Sequence, residues 1–251
     1  MNDAKKLNLH KILKGLMILC VAGILFSAFL LFEDHQEYVK GDAAYQQIRK
    51  ISKSVVEQTD ECKQKDAIDF LSLKKINSDI VGWITSEGTE IDYPIVQSKD
   101  NDYYLDHLFT GESNKTGSIF MDNRNHGDFG DKNTIIYGHN MKDGSMFASL
   151  AKYEEQSYYN RFPTISLYTP NGNFVIELFA GIIVNGDQSS IRLDFKDGSD
   201  FEDYVDSLKQ LSTFKSNTTV RANDHIITLC TCSYEFHNAR FVLFGKLTPI
   251  Q

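Results

Sequence analysis

Two apolar runs near the C-terminal end constrain the fold of this chain more than any other feature. The first run covers residues 226–232 and ends in Cys232, and the second covers residues 240–247 and begins with Arg240. Both are rich in β-branched and aromatic residues and are separated by a short connection, which predicts two strands joined by a loop. If the strands pair antiparallel, Cys232 and Arg240 lie side by side at the mouth of the hairpin. Because a fixed positive charge favours the thiolate, this pairing predicts a reactive cysteine.

The remainder of residues 69–251 repeats the pattern of short apolar runs between turn signals. We predict six further strands, at residues 81–85, 90–96, 117–122, 133–140, 164–169 and 173–184. Helices are predicted at residues 70–76, 103–107, 145–150 and 201–211, the last from apolar residues that recur at helical spacing. Many short strands with few helices favour a closed or nearly closed β-barrel, so the predicted fold class is mainly β.

An uninterrupted apolar segment, residues 15–32, precedes this domain. It is long enough to span a bilayer as a helix. Four lysines lie before it and three acidic residues lie shortly after it, which places the N-terminal side in the cytoplasm and exports the rest. The segment ends without a small-x-small cleavage site, so we predict an uncleaved signal-anchor rather than a cleaved signal peptide.

The chain therefore divides into four predicted parts: a cytoplasmic N-terminus (residues 1–14), a transmembrane signal-anchor (15–32), a helical stalk (33–68) and an extracellular domain (69–251). The predicted location is the cell membrane, with a single membrane pass. Apolar residues at positions 48, 51 and 55 form a helical stripe on the stalk. This stripe either packs on the domain or meets a partner.

Composition narrows the function classes. The chain has 251 residues, 41% of them hydrophobic, which suits one globular domain with an appendage. Its net charge of −8 argues against a nucleic-acid binder, which needs a basic face. Four cysteines in a chain of this size do not form a disulfide framework, and no second Cys/His pair complements the one at residues 230 and 232 to hold zinc. We predict no metal and no cofactor.

A nucleophilic thiol calls for a base, and histidine is the common choice. The domain contains five histidines: His107, His126, His139, His225 and His237. His139 has the most suitable context, because it follows a glycine at the end of an apolar strand. His237 is close to the cysteine in sequence but lies in the connecting loop, where we expect it to be solvated. A structural role for a lone histidine at a strand end is the competing interpretation.

Cys230 shares a predicted strand face with Cys232, because side chains alternate along a strand. One interpretation is a small, buried hydrophobic residue. The other is a redox pair with Cys232, although a regular strand holds residues i and i+2 close to the upper Cα separation for a disulfide.

These residues carry a resemblance. Residues 228–232, followed by Arg240, resemble the Thr-Leu-x-Thr-Cys…Arg signature of sortases, and residues 137–140 resemble the segment that carries their histidine. Similarity to class B sortases in particular comes from residues 91–97, 103–105 and 117–122, and from the helix predicted at 201–211. The likeness covers residues 70–248. It implies an eight-stranded, mostly antiparallel barrel with flanking helices, on the outer face of a Gram-positive bacterium.

The resemblance also implies a reaction. Cys232 attacks the carbonyl of a threonine in a C-terminal sorting motif of a secreted protein, and a thioacyl intermediate passes the protein to an amine of the peptidoglycan precursor, lipid II. Arg240 orients the peptide and stabilises the oxyanion, and His139 transfers protons to and from the amines. Tyr137 precedes His139 by two residues and is expected at the peptide groove.

The same resemblance implies substrate-binding roles for Cys230 and Thr231. Class B sortases often have serine at the position of Cys230, and a thiol is a weaker hydrogen-bonding partner than a hydroxyl. Three other functions compete at this stage: an exported β-barrel binding module without catalysis, a thiol redox protein that uses residues 230 and 232, and a pilus-assembling sortase.

Overall fold

The computed structural model describes residues 3–53, 68–185, 191–232 and 239–250; for residues 3–12 and for Cys232 it describes the backbone alone. The chain forms two compact units, one up to Ala43 and one from Ala44 onward. Helix α1 (Asp3–Lys53) contributes to both.

The first unit consists of the N-terminal part of α1. The predicted segment 15–32 lies within this helix, and its large apolar side chains are exposed. From Leu13 onward the helix is long and apolar enough, by length and composition, to cross a membrane. It is therefore a candidate membrane span.

The second unit is a closed eight-stranded barrel, as predicted. Its strands follow the order β1-β2-β3-β4-β7-β8-β6-β5 around the barrel. Two neighbouring pairs, β2 with β3 and β4 with β7, are parallel, and the other pairs are antiparallel. The strands are β1 (Ile80–Thr85), β2 (Asp92–Val96), β3 (Ile119–Met121), β4 (Asn133–Tyr137), β5 (Thr164–Thr169), β6 (Gly172–Asn185), β7 (His225–Cys232) and β8 (Ala239–Pro249).

Helices and 3-10 turns flank the barrel. They are α2 (Phe70–Ile76), α3 (Gln156–Arg161), α4 (Gly198–Leu211) and two 3-10 segments, Tyr103–Leu105 and Ala148–Glu154. The helices at 70–76 and 201–211 match the prediction, and the prediction missed α3. The helix predicted at 145–150 was wrong in position and type. Residues 145–147 instead close a loop, because Met146 has a left-handed backbone (φ 57°) and the Phe147 amide donates to the His139 carbonyl at 2.9 Å.

Two hydrophobic clusters lie on opposite faces of strand β7. Leu229 and its neighbours on alternate positions pack with Trp83 inside the barrel. Cys230 lies on the other face, in a cluster with Val242 and the buried side of α4. This alternation is the one predicted from the strand period. It places the outer face of β7 toward α4.

The last turns of α1 belong to the barrel unit. Tyr45 and Ile48 are buried in it, and the Arg49 Nε donates to the Asp92 carbonyl at 2.8 Å. Of the two interpretations of the stalk stripe, packing on the domain therefore holds for Ile48. The position at 55 lies outside the described residues.

Candidate active site

The end of β7 is the centre of the candidate site. Cys232 is the last residue of β7 and pairs directly with Arg240 on β8, as the sequence pattern predicted. On its other side β7 runs parallel to β4, and this register sets Tyr137 beside Cys230. The pairing of β4 with β7 joins segments that are far apart in sequence and brings the end of β4 to the same rim of the barrel as Cys232.

A cavity of about 590 Å³ opens at this rim. Its walls include His139, Arg240, Tyr137, Cys230 and Thr231. The structure thus brings together five of the six predicted site residues around one opening. The sixth, Cys232, contributes its backbone at the strand end, and its side chain lies outside the described part. A cavity of this size accommodates a short peptide.

Among the described histidines, only His139 lies in the wall of this cavity. Those at 107, 126 and 225 each bond through Nδ1 to a neighbouring carboxylate or carbonyl oxygen outside it. His237 lies outside the described residues. Within the described residues, this cavity wall thus contains the histidine whose sequence context was the most suitable.

The imidazole of His139 is held by a backbone group. Its Nε2 lies 2.6 Å from the carbonyl oxygen of Leu105, which also lines the cavity. Because a carbonyl oxygen only accepts hydrogen bonds, Nε2 carries the hydrogen in this contact.

A buried carboxylate lies behind Tyr137, one of the residues that line the cavity. Asp122 is fully buried and accepts hydrogen bonds from Tyr137 Oη at 2.9 Å and from Arg124 Nη2 at 2.7 Å. Burial works to raise the pKa of Asp122, but these bonds and the Arg124 charge outweigh it and hold the pKa below the ordinary value. Burial and the adjacent carboxylate together raise the pKa of Tyr137 well above its usual range, so its phenol stays protonated. Sequence reasoning missed Asp122 and Arg124; the signal was a charged residue at the end of the predicted strand 117–122.

Comparisons with known proteins agree with this architecture. A family model described as the sortase domain matches residues 84–248. Sortase B of Listeria monocytogenes is 49% identical over 181 residues, which are 71% of this chain and 74% of that protein. Sortase B of Staphylococcus aureus is 31% identical over 246 residues, or 97% of this chain and 100% of that one. The chain belongs to the sortase family.

Solved structures give the same result for this sortase. A Staphylococcus aureus sortase B–substrate complex superposes with a TM-score of 0.78 at 32% identity, covering 86% of this chain and 100% of that one. Bacillus anthracis sortase B in complex with AAEK1 superposes with a TM-score of 0.76 at 35% identity, covering 86% and 100%. The chain is therefore a class B sortase, a cysteine transpeptidase, and the resemblance read from residues 70–248 is confirmed.

Cys230 in this sortase is a buried thiol that also borders the cavity. Its neighbour Thr231 is buried as well, and the Thr231 hydroxyl has no hydrogen-bond partner among the described residues. Within those residues, no group of three or more His, Cys, Asp or Glu side chains is arranged to hold a metal ion.

Gly138, between Tyr137 and His139, is required by close packing. A Cβ at this position would lie 2.4 Å from Ile119 Cδ1 and 2.7 Å from Phe147 Cδ2. We expect Gly138→Ala to destabilise the domain by about 1–3 kcal/mol, because overpacking forces neighbouring groups to shift. Turnover should fall further than the loss of folded protein explains, since the shift displaces His139. Thermal unfolding and peptide cleavage measure the two effects; wild-type values for both would contradict the packing argument.

Asp122 also predicts a pH dependence of stability. Its folded-state pKa lies below the ordinary value of 3.8, so its stabilising contribution is complete above that value and is lost as the pH falls through the folded pKa. We expect Asp122→Asn to lower stability at neutral pH by about 1–2 kcal/mol, because charge-assisted hydrogen bonds are lost. The difference in unfolding free energy between the variant and the wild type should become smaller below about pH 4. Thermal unfolding across pH tests this, and a gap that is constant with pH would contradict it.

Proposed function

We propose that this class B sortase is a membrane-anchored transpeptidase that joins secreted proteins to the cell wall, with Cys232 as nucleophile, His139 as acid and base, and Arg240 as oxyanion-stabilising group. One observation carries the assignment. His139 and Arg240 border a single cavity at the end of strand β7, and Arg240 pairs in register with Cys232.

In the first half-reaction, the Cys232 sulfur attacks the carbonyl carbon of a threonine in the sorting motif. Nδ1 of His139 takes the proton of the Cys232 thiol as the sulfur attacks. The peptide bond after the threonine then breaks, a thioester to Cys232 forms, and Nδ1 passes that proton to the leaving amine. The Arg240 guanidinium offers several N–H donors to the oxygen that becomes negative in the tetrahedral intermediate. A nearby guanidinium also favours the thiolate form of the nucleophile.

In the second half-reaction, an amine of the peptidoglycan precursor attacks the thioester. His139 takes the proton from that amine, the bond to sulfur breaks, and a new amide links the secreted protein to the precursor. The Leu105 carbonyl keeps Nε2 occupied throughout, so Nδ1 alone exchanges the proton. Water in place of the amine hydrolyses the thioester and releases the cleaved protein.

The substrate contacts follow from the cavity wall. We propose that Tyr137, Cys230 and Thr231 touch the sorting peptide, because all three border the cavity beside the strand end. The solved Staphylococcus aureus sortase B–substrate complex supports substrate capture by a barrel of this fold. The Asp122–Tyr137 hydrogen bond holds the phenol ring in place before the peptide arrives.

We propose that the helix containing residues 15–32 anchors the chain as a single membrane pass. The lysine excess before this segment supports a cytoplasmic N-terminus and an extracellular catalytic domain. Its exposed apolar side chains suit a lipid environment better than water.

A peptide-library cleavage assay with the purified full chain in detergent tests the function. We expect one family of threonine-containing motifs to be cut after the threonine, with mass spectrometry showing transfer of the acyl group to an added amine nucleophile, hydroxylamine. Scrambled peptides of the same composition are the matched control. Equal cleavage of both sets, or cleavage without any transfer to the amine, would contradict the proposal.

A further inference from the structure

Tyr45, near the end of helix α1, donates a hydrogen bond to the backbone beside the candidate site. Its side chain is 3% exposed, and its hydroxyl lies 2.7 Å from the Gly117 carbonyl oxygen. Burial raises the pKa of Tyr45 well above its ordinary value, so the phenol is a permanent donor. A buried tyrosine hydroxyl with a fixed partner constrains the backbone that it holds.

The backbone that Tyr45 holds is in contact with the group that orients His139. Gly117 has a left-handed backbone (φ 56°), and a Cβ there would lie 2.5 Å from the Leu105 carbonyl oxygen. The Ser118 amide donates to the neighbouring Tyr104 carbonyl at 2.9 Å. The Leu105 carbonyl that bonds to His139 Nε2 is thus packed directly against the segment that Tyr45 holds.

A second set of contacts runs from Tyr45 to the backbone of His139. The Tyr45 ring packs edge-on against Tyr93, with centroids 5.1 Å apart. The Tyr93 hydroxyl accepts a hydrogen bond from the Met146 amide, with 3.0 Å between oxygen and nitrogen. This bond fixes the left-handed turn at Met146, in the loop after β4. The next amide, of Phe147, donates to the His139 carbonyl. One tyrosine therefore supports both the ring and the main chain of His139.

We propose that Tyr45 is a positioning residue for His139, so that the end of helix α1 supports the active site. This inference rests on the proposed role of His139. The hydroxyl sets the place of the Leu105 carbonyl, which keeps a hydrogen on Nε2 of His139 and fixes the orientation of the imidazole ring. The helix that carries the apolar segment 15–32 thus also contributes a residue that tunes the reaction.

The test uses the full chain in detergent and the variant Tyr45→Phe, which keeps the ring packing and removes only the hydroxyl. Tyr153→Phe is the matched control, because Tyr153 is also buried and its hydroxyl donates to a backbone carbonyl, that of Phe162, at 2.8 Å. We expect Tyr45→Phe to lower kcat about tenfold with KM changed less than about twofold, since misplacement of a catalytic group acts on the transition state. Nitrogen chemical shifts of labelled histidine should show His139 losing its single Nε2–H form in this variant alone.

His139→Ala separates the two proposals. If that variant keeps wild-type turnover, the proposed function of His139 fails. If it is inactive while Tyr45→Phe retains wild-type kcat and the wild-type tautomer, the positioning inference alone is overturned. The inference would also be overturned if Tyr45→Phe and Tyr153→Phe lost equal fractions of kcat and each loss followed the drop in melting temperature. That result would show that Tyr45 acts on stability only.

Discussion

Replacing Cys232 with alanine should reduce cleavage of a sorting peptide by at least about 10⁴-fold, because the reaction loses its nucleophile and no covalent intermediate can form. Strand β7 ends at this residue, beside Arg240 and next to the cavity that contains His139. The measurement is single-turnover cleavage followed by mass spectrometry, with the melting temperature as a check on folding.

Two other cysteines serve as controls for this prediction. Cys20→Ala, in the apolar segment of α1, should leave turnover unchanged. Cys230→Ser changes a cavity-lining group and should retain at least about a tenth of wild-type activity, since the lost contacts are worth about 1 kcal/mol. If Cys232→Ala remains active while Cys230→Ser does not, the nucleophile has been assigned to the wrong residue.

The second large effect is expected at Arg240. Arg240→Lys keeps the positive charge but loses the planar fork of N–H donors, so it should lower kcat by about 10²–10³-fold with a smaller effect on KM. If the guanidinium binds the oxyanion, the lost binding energy belongs to the transition state and not to the bound substrate, so kcat falls and KM changes little. Steady-state kinetics on a cleavable sorting peptide separate the two constants.

A matched substitution at another arginine tests whether the change itself is harmful. Arg161 lies on α3, and its Cζ is 5.3 Å from the centre of the Phe162 ring. It is not among the residues that line the cavity. Arg161→Lys should retain wild-type kinetics. An Arg240→Lys enzyme whose kcat is intact would contradict the oxyanion role, and one in which only KM rises would restrict Arg240 to peptide binding.

The part of the site that sequence patterns could predict is the part set by local rules. Strand period places Cys230 on the face opposite to Leu229, hairpin pairing places Cys232 beside Arg240, and the structure has both. His139 is different, because its approach to Cys232 depends on parallel pairing of β4 with β7 across a long stretch of chain. No local pattern encodes that pairing. The strand context favoured His139 among the five histidines, and only the resemblance of residues 137–140 to a family tied it to Cys232.

The groups behind the site were not predictable for the same reason. Asp122 and Tyr137 meet through the β3–β4 pairing and a side-chain hydrogen bond, neither of which has a sequence signature. Tyr45 has no sequence signature of this contact, and only the folded structure shows its hydroxyl on the Gly117 carbonyl. The helix predicted at 145–150 was wrong because the amides of Met146 and Phe147 donate to the Tyr93 hydroxyl and to the His139 carbonyl, and not to carbonyls within a helical turn.

The most direct test of the central claim is intact-protein and peptide mass spectrometry of the full chain, mixed with a sorting peptide in the absence of an amine acceptor. We predict a peptide adduct on Cys232 that hydroxylamine releases, and that forms far more slowly in His139→Ala and in Arg240→Lys. An adduct on Cys230 instead, or one on Cys232 that forms at the same rate without His139 and Arg240, would contradict the convergence of these three groups at one rim of the barrel.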